Sequence, residues 1–328
     1  MNFKKFKTVF RLIIIVVCFA YIAVFLYKNR QQLHLILNLR PRFIILLLAL
    51  FMADLIINSV RIKIVIEKCS RLKLPVFGWF KIFLLGRFLN TIIPQMGNIY
   101  RCVVLKQDYN VSYTSYISSF ASFAWVDTGL NLIFALITIL AAGSTIRMAG
   151  LPAWQMISAL IGLVIAGPIA AEFVFGLIKV KNKSLAWVHS KLSTVLTTSV
   201  NTLKDGVYLS SLTVTTVIAF AIAVMAFYVC FSGLGLSVDL TALILFFAIL
   251  KISDVVVITP GNLGIREIAF GILTQQIGLG MTEGILVSAI MRVLSTILVF
   301  VLGIFLGGIG ILRKRQDYII NKTDIIQK

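Results

Sequence analysis

Six ionisable side chains lie inside long apolar stretches of this sequence and are the first candidates for chemistry. They are Asp54, Asp127, Glu172, Lys251, Asp254 and Arg292. Ionisable groups are costly within a membrane, so they usually face a protein interior or a water-filled cavity and often mark a substrate path. Two simpler interpretations stay open. Lys251 and Asp254 are spaced to pair on one helix face, and Asp54 and Glu172 are each compatible with a neutral, buried carboxyl group.

Two apolar stretches are broken by proline and glycine and are then followed by arginine. The first bend contains Pro94, Gly97 and Arg101, and the second contains Pro260, Gly261, Gly264, Arg266 and Glu267. A helix that restarts after such a bend presents free backbone N–H groups and the positive end of its dipole, which favour phosphate. Arg101 and Arg266 would add forked contacts to phosphate oxygens. Glu267 would balance Arg266 or recognise a cationic headgroup.

The alternative is that the bends only end helices at the membrane surface, where the arginines reach water. The two bends lie about half a chain length apart. Transport folds built from two repeats place interrupted helices at corresponding positions and bind substrate there. The paired occurrence therefore favours the binding interpretation.

The elements that must position these residues are membrane-spanning helices. The chain has 328 residues, of which 59% are hydrophobic and 13% charged, and its mean hydropathy is +1.01. Apolar runs of about 18 or more residues are long enough to cross the hydrocarbon core. We therefore predict an all-α polytopic membrane protein with seven or eight spans. The clearest spans are 9–27, 42–60, 115–141, 154–178, 209–232, 240–259 and 284–312.

Two shorter apolar segments, 76–93 and 265–279, lie next to the bends and are predicted to be re-entrant or broken half-helices. Irregular backbone at membrane depth is tolerated only where protein or a water-filled cavity satisfies its polar groups. The whole chain, 1–328, is predicted to form one integral membrane domain. Its halves, 1–178 and 209–315, would form a pseudo-repeat joined by a basic amphipathic linker over 179–208.

The net charge of +19 comes mainly from basic residues between the spans, as the positive-inside rule expects. It places both termini and the segments 61–81 and 179–204 in the cytoplasm. The basic loop 28–42 falls on the opposite side, and both termini can be cytoplasmic only if 76–93 or 265–279 crosses as an eighth span. The basic start is interpreted as part of a retained first span. Nucleic-acid binding is not expected, because no basic motif with interleaved aromatic residues lies outside the spans.

Signatures of soluble enzymes are absent from the sequence. It contains no Walker A run, no GxSxG elbow, no HExxH motif and no dinucleotide-type GxGxxG. Its four cysteines form no CxxC pair, and its two histidines are far apart. We therefore predict no catalytic residue, no metal site and no cofactor.

The bends and their surroundings resemble the membrane region of lysylphosphatidylglycerol synthases, also called flippase-like proteins. The run Gly86-Arg87-Phe88-Leu89-Asn90, followed by Pro94, Gly97 and Arg101, is similar to one motif of that family. The run from Pro260 to Glu267 is similar to a Pro-Gly-Gly-x-Gly-x-Arg-Glu motif, with Asn262 in place of the second glycine. Arg292 also fits. Asp127 is present, but the Glu-Arg pair that often precedes it in the family is not, so the substrate or mechanism is expected to differ.

The resemblance implies a bacterial inner-membrane protein that binds or moves an anionic phospholipid or a polyprenyl-phosphate glycolipid. It does not extend to the soluble aminoacyl transferase domain of full-length synthases, so that activity is not expected. The alternative is an accessory subunit that presents lipid to a separate glycosyltransferase or aminoacyl transferase partner. A membrane enzyme using Asp127, Glu172 or Asp254 is the weakest alternative. The expected substrate-binding residues are Asn90, Pro94, Gly97, Arg101, Asp127, Asp254, Pro260, Gly261, Gly264, Arg266, Glu267 and Arg292.

Overall fold

Helices make up almost all of the structure. The computed structural model describes residues 40–93, 95–141, 147–148, 151–177, 204–240, 265–276 and 278–307, with isolated positions between 193 and 201 and between 242 and 250. The helices are α1 (Pro41–Ser70), α2 (Val76–Ile92), α3 (Met96–Tyr109), α4 (Tyr113–Ala141), α5 (Ala153–Leu177), α6 (Gly206–Gly233), α7 (Ile265–Gln276) and α8 (Met281–Phe305). The strands β1 (Arg147–Met148) and β2 (Leu151–Pro152) form a short antiparallel pair.

Four of the described helices, α1, α4, α6 and α8, are long and apolar enough to cross a membrane. They contain 25 to 30 residues each, and about 20 residues are needed to span the hydrocarbon. The predicted helical membrane protein is thus confirmed. The predicted spans 9–27 and 240–259 and most of the linker 179–208 lie outside the described residues. The total number of spans and the pseudo-repeat therefore stay predictions.

Helix α1 is longer than the sequence suggested. The span was predicted to end at residue 60, because basic residues follow it. The helix instead continues to Ser70, and Arg71 ends it with a left-handed backbone at φ 57°. Arg61, expected in a connecting cytoplasmic segment, lies inside the helix and is only 2% exposed. That expectation was wrong because Arg61 has a buried partner on another helix, which local charge counting does not detect.

Helices α2 and α3 form an antiparallel hairpin around the first bend. Ile93 ends α2 in extended backbone, and Gln95 begins α3 with a left-handed φ of 65°, a conformation that residues with side chains adopt infrequently. A Cβ on Gly97 would collide with the carbonyl oxygen of Gly86, so only glycine permits this close backbone approach. The segment 76–93, predicted as a half-helix, is observed as helix α2, and α3 returns beside it.

The long helices pack around the hairpin and around α7. Helix α1 packs against α4 and α6, whereas α8 packs against α1, α2 and α6. Buried aromatic residues fill the space between α6 and α7, with the Phe227 and Phe270 rings 5.0 Å apart. Helices α7 and α8 approach closely at Gly284, where a Cβ would lie 2.9 Å from the carbonyl oxygen of Phe270. This packing leaves a polar cavity between the helices.

Candidate functional site

A cavity of about 640 Å³ lies between the helices, and α1, α2, α4, α6, α7 and α8 all contribute to its wall. Part of the wall is apolar, as expected in a protein of this composition. The rest consists of thirteen polar or charged residues. Its polar lining residues are Asp54, Asn58, Arg61, Arg87, Asn90, Thr91, Asp127, Asn131, Thr216, Ser288, Arg292, Ser295 and Thr296.

Three of the five charged lining residues lie near the midpoints of spanning helices. Asp54 is the fourteenth of 30 residues in α1, and Asp127 is the fifteenth of 29 in α4. Arg292 is the twelfth of 25 in α8. At 1.5 Å of rise per residue, each of these side chains is about 20 Å from either end of its helix. These charges therefore lie deep within the layer of spanning helices, where they need water, protein partners or a ligand.

A chain of hydrogen bonds connects the charges of α1, α4 and α6. Asn58 Nδ2 donates to Asp54 Oδ1 at 2.7 Å, and Arg61 Nη1 donates to Asn58 Oδ1 at 2.9 Å. Arg61 Nη2 forms an ion pair with Asp127 and donates to Thr216 Oγ1 at 2.9 Å. The spacing of the three α1 residues explains their alignment, since positions i, i+4 and i+7 share one helix face. This network holds three spanning helices together through polar contacts at the cavity wall.

A second ion pair connects α7 to α8. Arg292 Nε lies 2.9 Å from Glu267 Oε1, and the two side chains are 21% and 8% exposed. Glu267 was predicted to balance its neighbour Arg266 or to recognise a cation. In the structure it pairs with Arg292, which is one of the other predicted site residues. Glu267 lies in the first turn of α7, so the pair couples the start of that helix to the cavity wall.

Helix α2 contributes the wall closest to the first bend. Asn90 Oδ1 accepts a hydrogen bond of 2.6 Å from the backbone N–H of Gly97, which satisfies one of the free donors at the start of α3. Arg87 lies one turn before Asn90 and is exposed. Among the described residues, no carboxylate lies within ion-pairing distance of Arg87. It is the cavity cation that is not neutralised by a neighbouring acid.

Arg101 does not line the cavity. It is 4% exposed, and its stem packs on Gly86, where a Cβ would lie 3.0 Å from Arg101 Cγ. Its Nε donates to the carbonyl oxygen of Gly97 at 3.3 Å. Arg101 and Gly97 thus form the interior of the α2–α3 hairpin.

The predicted site residues therefore fall into three groups. Asn90, Asp127 and Arg292 line the cavity, and Glu267 contacts it through Arg292. Gly97 and Arg101 lie in the hairpin beside it. Arg266 belongs to α7, while Pro94, Asp254, Pro260, Gly261 and Gly264 lie outside the described residues, as does Lys251.

Nine polar residues of the wall were not among the candidates named from the sequence: Asn58, Arg61, Arg87, Thr91, Asn131, Thr216, Ser288, Ser295 and Thr296. A signal for two of them was present, because Asp54, Asn58 and Arg61 recur at helical spacing directly after an apolar run. Thr216 carries no comparable signal, since a threonine in an apolar helix is common. In chemical terms the cavity offers arginines, carboxylates, amides and hydroxyls, a set suited to binding a polar headgroup. No cluster suited to a metal ion occurs among the residues that the structure describes.

Comparison with known proteins gives one match. The family model described as "Lysylphosphatidylglycerol synthase TM region" matches residues 9–303, which is nearly the whole chain. No curated protein and no solved structure matches the chain.

Proposed function

The chain belongs to the lysylphosphatidylglycerol synthase TM region family, and we propose that it binds the headgroup of an anionic lipid in its central cavity and carries that headgroup across the membrane. The lipid is an anionic phospholipid or a polyprenyl-phosphate glycolipid. The tails stay in the bilayer while the headgroup moves through the cavity.

The observation that carries the proposal is the position of the polar wall, which lies far from both ends of the spanning helices. A cavity of about 640 Å³ falls within the range of about 300–1,000 Å³ usual for ligand sites. Three of its charged groups, Asp54, Asp127 and Arg292, lie near the midpoints of three spanning helices. A headgroup crossing a membrane needs such partners at the midplane, where it loses its hydration.

The pairing of the charged groups, rather than their sum, supports an anionic ligand at Arg87. Arg61, Arg87 and Arg292 line the cavity together with two carboxylates, Asp54 and Asp127. Arg61 is neutralised by Asp127, and Arg292 by Glu267. Arg87 has no carboxylate partner among the described residues, so it is the natural first contact for phosphate. The asparagine, serine and threonine side chains of the wall suit the hydroxyl groups of glycerol or sugar.

The remaining features of the proposal concern cellular context. We place the protein in the bacterial inner membrane with both termini in the cytoplasm and with two related halves joined by the linker 179–208. The family membership and the four apolar helices support membrane location, and the distribution of Lys and Arg supports the orientation. A glycosyltransferase or aminoacyl transferase that makes or uses the lipid is the expected partner.

Lipid labelling in cells tests this function. Bacteria that lack the protein are compared with the parent strain for outer-leaflet lipid, using an impermeant label, and for total lipid composition. Translocation predicts a changed leaflet distribution with unchanged totals. The loss of a lipid species from the total would contradict translocation and would favour an accessory role in lipid synthesis.

A further inference from the structure

Two arginines from different helices of the hairpin share one aromatic ring. The guanidinium carbon of Arg87 lies 5.6 Å from the centre of the Phe83 ring, and that of Arg101 lies 5.5 Å from the same point. Arg87 follows Phe83 by one turn of α2, whereas Arg101 reaches the ring from α3. The two cations are close enough for each to feel the other's charge. An aromatic ring attracts a cation, but it does not cancel the repulsion between two.

Neither arginine has an acidic partner in the part of the chain that the structure describes. Arg87 is exposed to the cavity, but Arg101 is 96% removed from solvent, at 4% exposure. The hydrogen bond of Arg101 to described residues uses Nε and the carbonyl oxygen of Gly97. The two terminal nitrogens of Arg101 make no hydrogen bond to the described residues, although they carry four of the five N–H donors of a guanidinium. A buried cation without a counter-ion is costly, so a bound anion would stabilise this pair of arginines.

The hydroxyl of Tyr116 is a further buried polar group without a partner among the described residues. Tyr116 lies near the start of α4, is 7% exposed, and its hydroxyl has no hydrogen-bond partner among the described residues. It belongs to the same buried cluster as Phe83, the ring that the two arginines share, and it has a charge interaction with Arg101. A buried hydroxyl without a partner is uncommon in folded proteins. One ligand that accepts hydrogen bonds from both Tyr116 and Arg101 would satisfy both groups.

We propose that Arg87, Arg101 and Tyr116 form an anion site at the edge of the central cavity, and that the site holds a phosphate group. Phosphate fits because it has several acceptor oxygens and negative charge, and because guanidinium groups contact its oxygens in pairs. The cavity wall reaches the site through Arg87, so the phosphate can belong to a lipid headgroup or to free inorganic phosphate. If the phosphate belongs to a lipid headgroup, the inference rests on the proposed function and locates the phosphate of the transported lipid.

Binding in phosphate-free detergent tests the site. The full chain is purified in maltoside micelles and stripped of lipid. One sample is titrated with inorganic phosphate and another with dihexanoyl-phosphatidylglycerol, each against sodium chloride at equal ionic strength, and the thermal unfolding midpoint is followed. A rise in both samples assigns the site to phosphate in general. A rise with the lipid alone assigns it to a lipid headgroup.

Three variants test whether the rise in the unfolding midpoint comes from binding at this site. Arg87→Gln, Tyr116→Phe and Arg101→Lys are each expected to weaken the apparent affinity about 10- to 100-fold, the usual effect of losing a hydrogen bond to a charged group. The matched control is Lys106→Gln, which removes one positive charge from the exposed surface of the same helix as Arg101 and is expected to change nothing. Arg87 is exposed and Tyr116→Phe keeps the ring, so both variants test the site even if Arg101→Lys does not fold.

Three results would overturn the site. One is the absence of any midpoint rise with either probe. Another is an unchanged affinity in the Arg87 and Tyr116 variants, and the last is an equal loss in Lys106→Gln, which would indicate unspecific charge binding. Arg292→Gln separates this inference from the transport proposal. It leaves the site intact and is expected to keep the response to inorganic phosphate, whatever its effect on lipid movement.

Discussion

Arg61 of helix α1 and Asp127 of helix α4 form an ion pair with a buried arginine and a partly exposed aspartate, although 66 residues separate them in the sequence. The arginine is 2% exposed and the aspartate 19%. Arg61 also donates to Thr216 of α6 and lies 4.8 Å over the ring of Phe123. Three of the four long apolar helices therefore meet at one guanidinium group, and that group is part of the cavity wall.

Removing the cation of this pair is expected to be strongly destabilising. Arg61→Gln leaves Asp127 as an uncompensated charge between helices, and breaking a buried pair in this way costs about 3–5 kcal/mol. The double variant Arg61→Gln/Asp127→Asn is expected to recover much of the loss. The measurement is the free energy of unfolding in mixed detergent micelles.

The neighbouring pair of Lys63 and Glu67 is the control for this prediction. It lies on the same helix at 2.8 Å, with side chains 18% and 24% exposed. Both of its side chains are partly exposed, whereas Arg61 is buried, so Lys63→Gln is expected to cost only about 0.5 kcal/mol, as for other i,i+4 helical pairs. Equal losses for Arg61→Gln and Lys63→Gln would contradict the special role of the Arg61 pair.

Gly97→Ala is expected to disrupt the α2–α3 hairpin. The added methyl group would collide with the backbone carbonyl of Gly86, and backbone cannot rotate away as a side chain can. We expect a loss of about 3 kcal/mol, at the upper end of the range for overpacking, or failure to fold. Gly162→Ala is the matched control, because this helical glycine has no atom within 4 Å of an added Cβ. It is expected to be neutral or stabilising by up to about 1 kcal/mol, and similar unfolding midpoints for the two variants would refute the packing assignment.

The pair of Glu267 and Arg292 is expected to tune lipid affinity in opposite directions. Glu267→Gln removes the acid that competes for Arg292, so binding of an anionic short-chain lipid should tighten. Arg292→Gln removes a cation from the wall, so binding should weaken by about tenfold. Titration with dihexanoyl-phosphatidylglycerol in micelles measures both. A change of the same sign in both variants would mean that the pair acts only as a structural contact.

A pH-dependent contact is expected where α1 meets α6. The hydrogen bond from Lys68, together with the backbone N–H of Tyr208, lowers the pKa of Asp205 below its ordinary value of 3.8. The ionised carboxylate is the favoured form in the folded protein, so its stabilising effect is present above pH 3.8 and is lost as the pH falls through the lowered pKa. The unfolding midpoint should therefore fall more steeply below pH 3.8 in the parent protein than in Asp205→Asn. Parallel curves would count against the Lys68 contact.

Much of the helical framework could be predicted from local pattern alone. The helix predicted at 115–141 is observed as Tyr113–Ala141, and that predicted at 154–178 as Ala153–Leu177. Length and hydropathy decide such segments because the membrane imposes both. The end of α1 could not be predicted in this way, since Arg61 is retained in the helix by Asp127, a residue far away in the sequence.

The site was predictable where single residues violate the membrane pattern. Asp127 and Arg292 stand out because a charge in an apolar run demands an explanation, and both line the cavity. Their partners could not be read from the sequence. Glu267 has Arg266 as its sequence neighbour, yet the structure pairs it with Arg292. Pairing depends on which helix faces meet, and helix packing is set by the whole fold.

The central claim is that an anionic lipid headgroup crosses the membrane through this cavity, and reconstituted transport tests it most directly. Liposomes containing the purified chain receive fluorescent phosphatidylglycerol, and dithionite quenching reports its movement between leaflets. The parent protein and Lys106→Gln are expected to move the lipid at equal rates, whereas Arg87→Gln and Arg292→Gln should be at least about tenfold slower, as expected when one charged contact of the headgroup is lost. Equal rates for all four proteins would contradict the claim.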